Sequence, residues 1–209
     1  KRVAMSRIGL IEKPALWAAT LGPIVTFVGY TIAGSMWEGY DGVKKTISDL
    51  AADDSPVQLF ISIVFLFGAL CDIVISHYAK AFATAGRIVI LLIGIATIGL
   101  TVFTTPDQQS YSVMHRIFAI SSFFLLCVWP LFAMRRGKDV PPLLRPGAAI
   151  AGALVIGVIC IWFLSHWQDP NSTITGLGER IGVGAQGLYP MIVIWHSYLW
   201  QKKNSLVSL

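Results

Sequence analysis

The stretch PVQLFISIVFLFGALCDIVISHY, from Pro56 to Tyr78, decides the class of fold. It runs for 23 residues, and Asp72 is the single acidic residue within it, with no lysine or arginine. A helix needs roughly 20 mainly apolar residues to cross a bilayer. The stretch therefore predicts a transmembrane helix.

Five further apolar runs accompany it, so we predict spans at about 14–37, 56–78, 87–105, 114–134, 147–167 and 179–200. Hydrophobic residues make up 55% of the 209-residue chain and charged residues only 13%, whereas a soluble domain carries about a quarter charged residues. These spans account for most of the chain, which leaves no room for a separate soluble domain. The sequence predicts one integral membrane domain, an all-α bundle of six transmembrane helices.

The distribution of lysine and arginine predicts the orientation of these spans. With the N-terminus inside, the inner segments hold twelve basic residues: Lys1, Arg2, Arg7, Lys13, Lys80, Arg87, Arg135, Arg136, Lys138, Arg145, Lys202 and Lys203. The outer segments hold four: Lys44, Lys45, Arg116 and Arg180. This bias predicts that both termini are cytoplasmic. Because the basic residues lie in short loops beside apolar runs, the net charge of +5 indicates no nucleic-acid partner.

The longest predicted connection, residues 38–55, lies on the outer side. Val43, Ile47 and Leu50 follow the i, i+4, i+7 spacing of an amphipathic helix. We therefore expect a short amphipathic segment on the outer surface, with Ser48 and Asp49 on its polar side.

Polar residues at the outer ends of the spans form a candidate ligand-binding site: Asp49, Asp107, His115, Arg116, Glu179 and Arg180. The arginines are suited to a phosphate or carboxylate headgroup, and His115 beside Asp107 is suited to act as an oriented base. Their spacing matches no known metal-ligand pattern, so no metal is predicted. The alternative is structural: Asp107 and His115 would hold one hairpin together, and Glu179 and Arg180 would cap the last helix.

A second candidate group, Asp72, His77 and His196, lies towards the inner side. An ionisable residue within a span is a functional candidate by default, and Asp72 could pair with His196 or belong to an ion pathway. No cofactor is predicted, although two histidines on each side (His77 and His196, His115 and His166) leave two haems as an alternative. Cys71, Cys127 and Cys160 lie in apolar runs without a CxxC pair, which indicates packing residues.

Three blocks carry a resemblance to a known family: TISDLAADDSP (46–56), TTPDQQSYSVMH (104–115) and GLGERIGVGAQGLYP (176–190). Over nearly its whole length, the chain resembles a bacterial six-span membrane family of unknown function, DUF998. The matching positions are Ser48, Asp49, Pro106, Asp107, His115, Gly176, Leu177, Glu179 and Arg180. The resemblance implies a shared outer site and a bacterial cytoplasmic membrane, and it implies no particular activity.

The sequence favours a small integral membrane protein of unknown activity that binds a lipid headgroup, a small ligand or a partner protein at its outer polar site. Three alternatives stay open: a membrane-embedded hydrolase or transferase that uses the outer Asp/His/Glu cluster, a haem-binding electron carrier, and a transporter with Asp72 in its pathway. Expected partners are membrane lipids and a partner membrane protein or second copy. Small residues of the fifth span, such as Gly152 and Gly157, are a candidate contact surface.

Overall fold

The chain folds into α-helices, seen here in a computed structural model that describes residues 8–107, 110 and 112–204. The described helices are α1 (Lys13–Met36), α2 (Ile47–Leu50), α3 (Gln58–Tyr78), α4 (Thr84–Val102), α5 (Val113–Ala133), α6 (Pro146–Gln168) and α7 (Thr175–Lys203). One 3₁₀ turn, Pro142–Leu144, precedes α6. The predicted all-α class is confirmed for this part of the chain.

Five of the described helices, α1, α3, α4, α5 and α6, are long and apolar enough to cross a membrane. Each begins and ends within three residues of its predicted span. The chain is thus a multi-pass membrane protein. Helix α7 has 29 residues but is less apolar, because polar side chains recur along it. Three of the basic residues used to predict topology, Lys1, Arg2 and Arg7, lie outside the described residues.

The six long helices form a closed ring around an interior space. Each helix packs against its neighbour in the order α1, α3, α4, α5, α6, α7, and α7 packs against α1. The described parts of the connectors 37–57, 103–112 and 169–174 meet at one end of the ring, which we call the long-loop end; Asp53 N–H donates to the Thr105 carbonyl there (2.9 Å). The connectors 79–83 and 134–145 lie at the opposite, terminal end.

Buried side chains close the ring at its terminal end. Phe82 and Trp129 are almost fully buried, and their rings pack 5.4 Å apart. Gln201 has no exposed surface; it donates to the Gly9 carbonyl (3.0 Å) and accepts from Ile11 N–H (3.0 Å). Backbone groups that precede α1 are therefore tied to the last helix, which seals this end.

The connector between α1 and α3 does not form the predicted amphipathic surface helix. Its helix α2 is a single turn, fixed by a capping box in which Thr46 and Asp49 bond each other's backbone amides. Ile47 and Leu50 are buried against α1 and α3, whereas Val43 is exposed and lies outside the helix. The predicted short helix is therefore present as one turn, but its apolar side packs inside the protein and does not lie on the outer surface.

Two glycines mark places where backbone and side chains come close. A Cβ at Gly176, in the first turn of α7, would lie 2.0 Å from the Lys45 carbonyl oxygen. The connector lies there because Leu177 N–H donates to the Val43 carbonyl (2.9 Å). Gly152 of α6 packs against Tyr189 of α7, since a Cβ at Gly152 would lie 2.0 Å from Tyr189 Oη. This glycine therefore serves a contact within the ring.

We expect Gly176→Ala to destabilise the protein by about 1–3 kcal/mol, because the added methyl group has to displace connector backbone. The thermal midpoint in detergent should fall by several degrees. Gly147→Ala, at a position with nothing within 4 Å of an added Cβ, is the matched control. Equal midpoints for the two variants would contradict the close approach.

Candidate ligand site at the long-loop end

Three polar side chains from distant parts of the chain meet inside the long-loop end. Ser48 Oγ of α2 lies 3.5 Å from His115 Nε2 of α5 and 3.5 Å from Glu179 Oε1 of α7. His115 and Glu179 are each only 6% exposed. We call Ser48, His115 and Glu179 the polar cluster. Two of its members belong to the predicted outer site.

Local structure fixes the orientation of His115. Ser112 caps α5 by accepting His115 N–H (3.3 Å), so the histidine occupies the first turn. Its Nδ1 lies 2.9 Å from the Phe103 carbonyl oxygen. A carbonyl only accepts, so Nδ1 carries the hydrogen, and in the neutral ring Nε2 presents its lone pair to Ser48.

Glu179 joins α7 to the connector that carries Ser48. Its carboxyl group accepts the backbone N–H of Ile47, the residue immediately before the serine. The ion pairs of the described residues are Lys44 with Asp41 and Lys80 with Glu12, so none involves Glu179. Hydrogen bonds, not an ion pair, therefore satisfy this buried carboxyl group.

Asp49 builds the turn beside the cluster. Its carboxylate accepts Thr46 N–H (2.7 Å), and its own N–H donates to Thr46 Oγ1 (3.1 Å). Burial raises the pKa of Asp49, and the hydrogen bond from Thr46 N–H opposes that rise. The side chain both caps α2 and lines the cavity described below.

Arg180 faces away from the polar cluster. Its Nη1 donates to the Lys45 and Gly176 carbonyls (3.0 Å each), and its Nη2 donates to Tyr40 Oη (2.7 Å). The guanidinium group also lies over the Tyr30 and Tyr40 rings, at 5.3 and 5.7 Å. Burial raises the pKa of Tyr40 to about 12, so its hydroxyl stays protonated and donates to the Thr46 carbonyl (2.6 Å). Arg180 thus clamps the connector.

Asp107 and Arg116 lie at the rim of the same end. Asp107 accepts hydrogen bonds from Ser110 N–H (2.6 Å) and Oγ (2.5 Å), which holds its own loop. The Arg116 guanidinium is exposed and stacks over Trp167 at 5.2 Å. Both side chains line the cavity, and within residues 8–107, 110 and 112–204 no hydrogen bond joins Asp107 to His115.

A cavity of about 1010 Å³ occupies the interior of the ring. All six long helices contribute to its wall, which is mainly apolar, and the polar cluster lies at its long-loop end. Ligand pockets in proteins span roughly 300–1,000 Å³ and pair apolar walls with a few polar groups. This cavity has that composition and that size.

Gln186 of α7 introduces a polar group halfway along the wall. Its amide nitrogen donates to the Phe123 carbonyl (3.0 Å) and contacts Cys160 Sγ (3.2 Å) and Cys127 Sγ (3.8 Å). The cysteines are free thiols. The sequence predicts that these cysteines are separate packing residues, but in the fold both contact the side-chain amide of Gln186.

The residues predicted on the inner side are not brought together. Asp72 lines the cavity, His77 is exposed against Tyr78, and the buried Nδ1 of His196 has no hydrogen-bond partner. The suggested pair of Asp72 with His196 is absent from the ion pairs of residues 8–107, 110 and 112–204.

Two of the four histidines in the haem alternative contact protein groups. Both ring nitrogens of His115 face protein groups, and His166 Nδ1 lies 3.3 Å from Ser172 Oγ. Among the described residues, no group of three or more His, Cys, Asp or Glu side chains could hold a metal ion.

Ser48 is not among the predicted ligand-binding residues, although the family resemblance includes its position. A lone serine in a polar segment carries no chemical signature, because its role depends on a histidine 67 residues away. Its position within the block TISDLAADDSP was the one available signal.

Comparison with known proteins supplies a family and nothing more specific. A family model described as "Protein of unknown function (DUF998)" matches residues 20–196, a range that contains the whole polar cluster. No curated protein and no solved structure matches the chain.

If Arg180 is a clamp, its bond to Tyr40 should stabilise the fold. We expect a double-mutant cycle of Arg180→Met and Tyr40→Phe to give a coupling energy of about 1–3 kcal/mol, the range for hydrogen bonds to charged groups. The measurement is reversible unfolding in mixed micelles. Additive losses in the double variant would contradict the clamp.

Proposed function

The chain belongs to the DUF998 family, whose function is unknown, and we propose that it binds one amphiphilic molecule inside the six-helix ring. The apolar tail would occupy the cavity, and the head would reach the polar cluster at the long-loop end. The observation that carries this proposal is a cavity of about 1010 Å³ whose wall is mainly apolar and whose long-loop end holds the polar cluster.

We further propose that α7 is a sixth span and that both termini face the cytoplasm of a bacterium, which places the polar cluster on the outer side of its cytoplasmic membrane. At 1.5 Å per residue, 29 residues extend about 44 Å, enough to cross a hydrocarbon core of about 30 Å. Three polar side chains of α7 are buried and hydrogen-bonded, so they would not be exposed to lipid: Glu179, Gln186 and Gln201. The bias of basic residues supports the orientation.

The surroundings of the cavity support a lipid-like ligand. Lipid acyl chains surround a ring of helices in a bilayer. An apolar cavity within the ring offers such a chain van der Waals contacts on all sides. The polar cluster gives a hydroxyl, an imidazole and a carboxyl group at one end, which fixes the direction of the ligand.

The charges around the cavity favour a head without negative charge. The described acidic residues of the wall are Asp49, Asp72, Asp107 and Glu179, whereas Arg116 is its one described lysine or arginine. Arg180, predicted to grip an anion, is held by Tyr40 and by backbone carbonyls. Wherever these carboxyl groups are ionised they repel a negatively charged head, so a phosphate head would be disfavoured.

Three amphiphiles with equal chains test both halves of this proposal: 1-O-dodecylglycerol, dodecylamine and dodecyl phosphate. Each would displace an environment-sensitive fluorescent alkyl probe from the purified protein. We expect dodecyl phosphate to bind at least about tenfold more weakly than dodecylglycerol, which corresponds to about 1.4 kcal/mol. Equal or tighter binding of the phosphate would contradict the charge argument.

A matched pair of leucine variants tests whether the tail occupies the cavity. Gly157 and Gly147 both lie on α6 with nothing within 4 Å of an added Cβ, but only Gly157 lines the cavity. Gly157→Leu should therefore weaken all three amphiphiles at least about tenfold, and Gly147→Leu should leave them unchanged. Unchanged binding of the amphiphiles to Gly157→Leu would contradict the proposal that they bind in the cavity.

Transport is a second candidate, favoured by the presence of Asp72 in the wall of the same cavity. If protons follow this route, Asp72→Asn should reduce proton entry into liposomes about fivefold or more, which corresponds to a barrier higher by about 1 kcal/mol. A trapped pH-sensitive dye reports the flux under an imposed potassium diffusion potential. Asp54→Asn, an exposed acid at the long-loop end, is the control. Equal flux in wild type, Asp72→Asn and empty liposomes would exclude this route.

A further inference from the structure

The polar cluster contains an arrangement that binding alone does not require. The Ser48 hydroxyl lies 3.5 Å from His115 Nε2, and His115 Nδ1 is bonded to the Phe103 carbonyl at 2.9 Å. The second contact fixes the tautomer in which Nε2 accepts a proton. A hydroxyl, an adjacent base and a group that orients the base are the three parts of an activated nucleophile.

We propose that Ser48 is a catalytic nucleophile with His115 as its base, and that the protein cleaves long-chain esters of an uncharged alcohol. This inference rests on the proposed function, because the cavity has to hold the acyl chain. Ser48 and His115 both line the cavity where its wall changes from apolar to polar. A chain lying in the cavity would therefore place its ester carbonyl beside the serine.

The reaction would proceed in two balanced halves. Ser48 Oγ attacks the ester carbonyl carbon while its proton moves to His115 Nε2; the bond to the alcohol oxygen then breaks, and that oxygen takes the proton from Nε2. The acyl group is now an ester of Ser48. Water, or a second alcohol, then gives a proton to Nε2 and attacks the acyl carbon, and Ser48 Oγ leaves with that proton.

Glu179 would act as a positioning residue. It accepts the backbone N–H of Ile47 and so holds the turn from which Ser48 projects. Ser48 has one hydroxyl hydrogen and two acceptors at 3.5 Å, Glu179 Oε1 and His115 Nε2. Both distances are long, as is common in ligand-free sites whose hydrogen bonds tighten when substrate enters.

The carboxyl groups of the cavity wall also bear on the substrate class. An ester whose alcohol carries phosphate would bring a negative charge towards Glu179 and Asp107, which both line the cavity. A monoacylglycerol has no such charge, and its free hydroxyls can hydrogen-bond to the polar end. We therefore expect turnover of monoacyl glycerol and little turnover of a lysophospholipid of equal chain length.

The first experiment uses the full protein in mild detergent and a dodecyl fluorophosphonate probe, which phosphonylates activated serines. We expect one added probe per chain, located at Ser48 by peptide mass spectrometry, and none in Ser48→Ala. Ser35→Ala, which removes an exposed hydroxyl at the same end of the ring, should be labelled like wild type. Labelling of another serine at an equal rate would overturn the assignment.

Kinetics with a fluorogenic decanoyl ester separate the roles of the cluster. We expect His115→Gln to lower kcat by about 100-fold or more with KM little changed, the usual effect of losing a general base. Glu179→Gln retains an acceptor for the Ile47 amide, so its kcat should fall by less. Equal kcat values for wild type and His115→Gln would contradict the assignment of His115 as the general base.

The two proposals can fail separately. Suppose that the probe does not label Ser48 in wild type and that wild type turns over the ester no faster than Ser48→Ala. The assignment of Ser48 as nucleophile is then wrong, even when dodecylglycerol binds. If dodecylglycerol does not bind either, the proposed function is wrong as well. Product analysis with added glycerol distinguishes hydrolysis, which releases decanoic acid, from transfer, which forms monodecanoyl glycerol. Wild-type labelling needs no variant to fold, so it decides the matter by itself.

Discussion

The carboxyl group of Glu179 accepts the backbone amide of Ile47, and the whole long-loop end is arranged around this bond. It joins the last helix to the first long connector across 132 residues of sequence. A buried backbone amide or carboxyl group left without a partner costs about 1–3 kcal/mol or more, so each group holds the other in place. The bond also fixes where Ser48 projects into the ring.

Hydrophobic runs were sufficient to predict the helices that are long and apolar enough to cross a membrane. The ends of α1, α3, α4, α5 and α6 lie close to the predicted spans because long apolar helices have few alternative environments. The same reasoning failed in the connector, where Ile47 and Leu50 have helical spacing but pack inside the protein. Periodicity shows that residues share a face, but it does not say what that face contacts.

The candidate site was only partly accessible from sequence for a related reason. Residue type and predicted orientation brought His115 and Glu179 to one end, and the structure places them together with Ser48. Arg180 was assigned to a ligand because guanidinium groups bind anions, but Tyr40 and two backbone carbonyls occupy it. Every residue has a backbone carbonyl, so residue types alone do not predict which carbonyls accept hydrogen bonds from an arginine.

The closed ring also determines how a membrane-borne molecule could reach the interior. Each long helix has two neighbours, so one seam can part while the other five hold the cylinder together. Gly157 of α6 and Gly184 of α7 both line the cavity, and neither has an atom within 4 Å of an added Cβ, so small side chains leave the wall thin at these two positions. Under the proposed function, lateral entry from the lipid phase would require only one seam to widen, and neither the sealed terminal end nor the clamped connector would have to unfold.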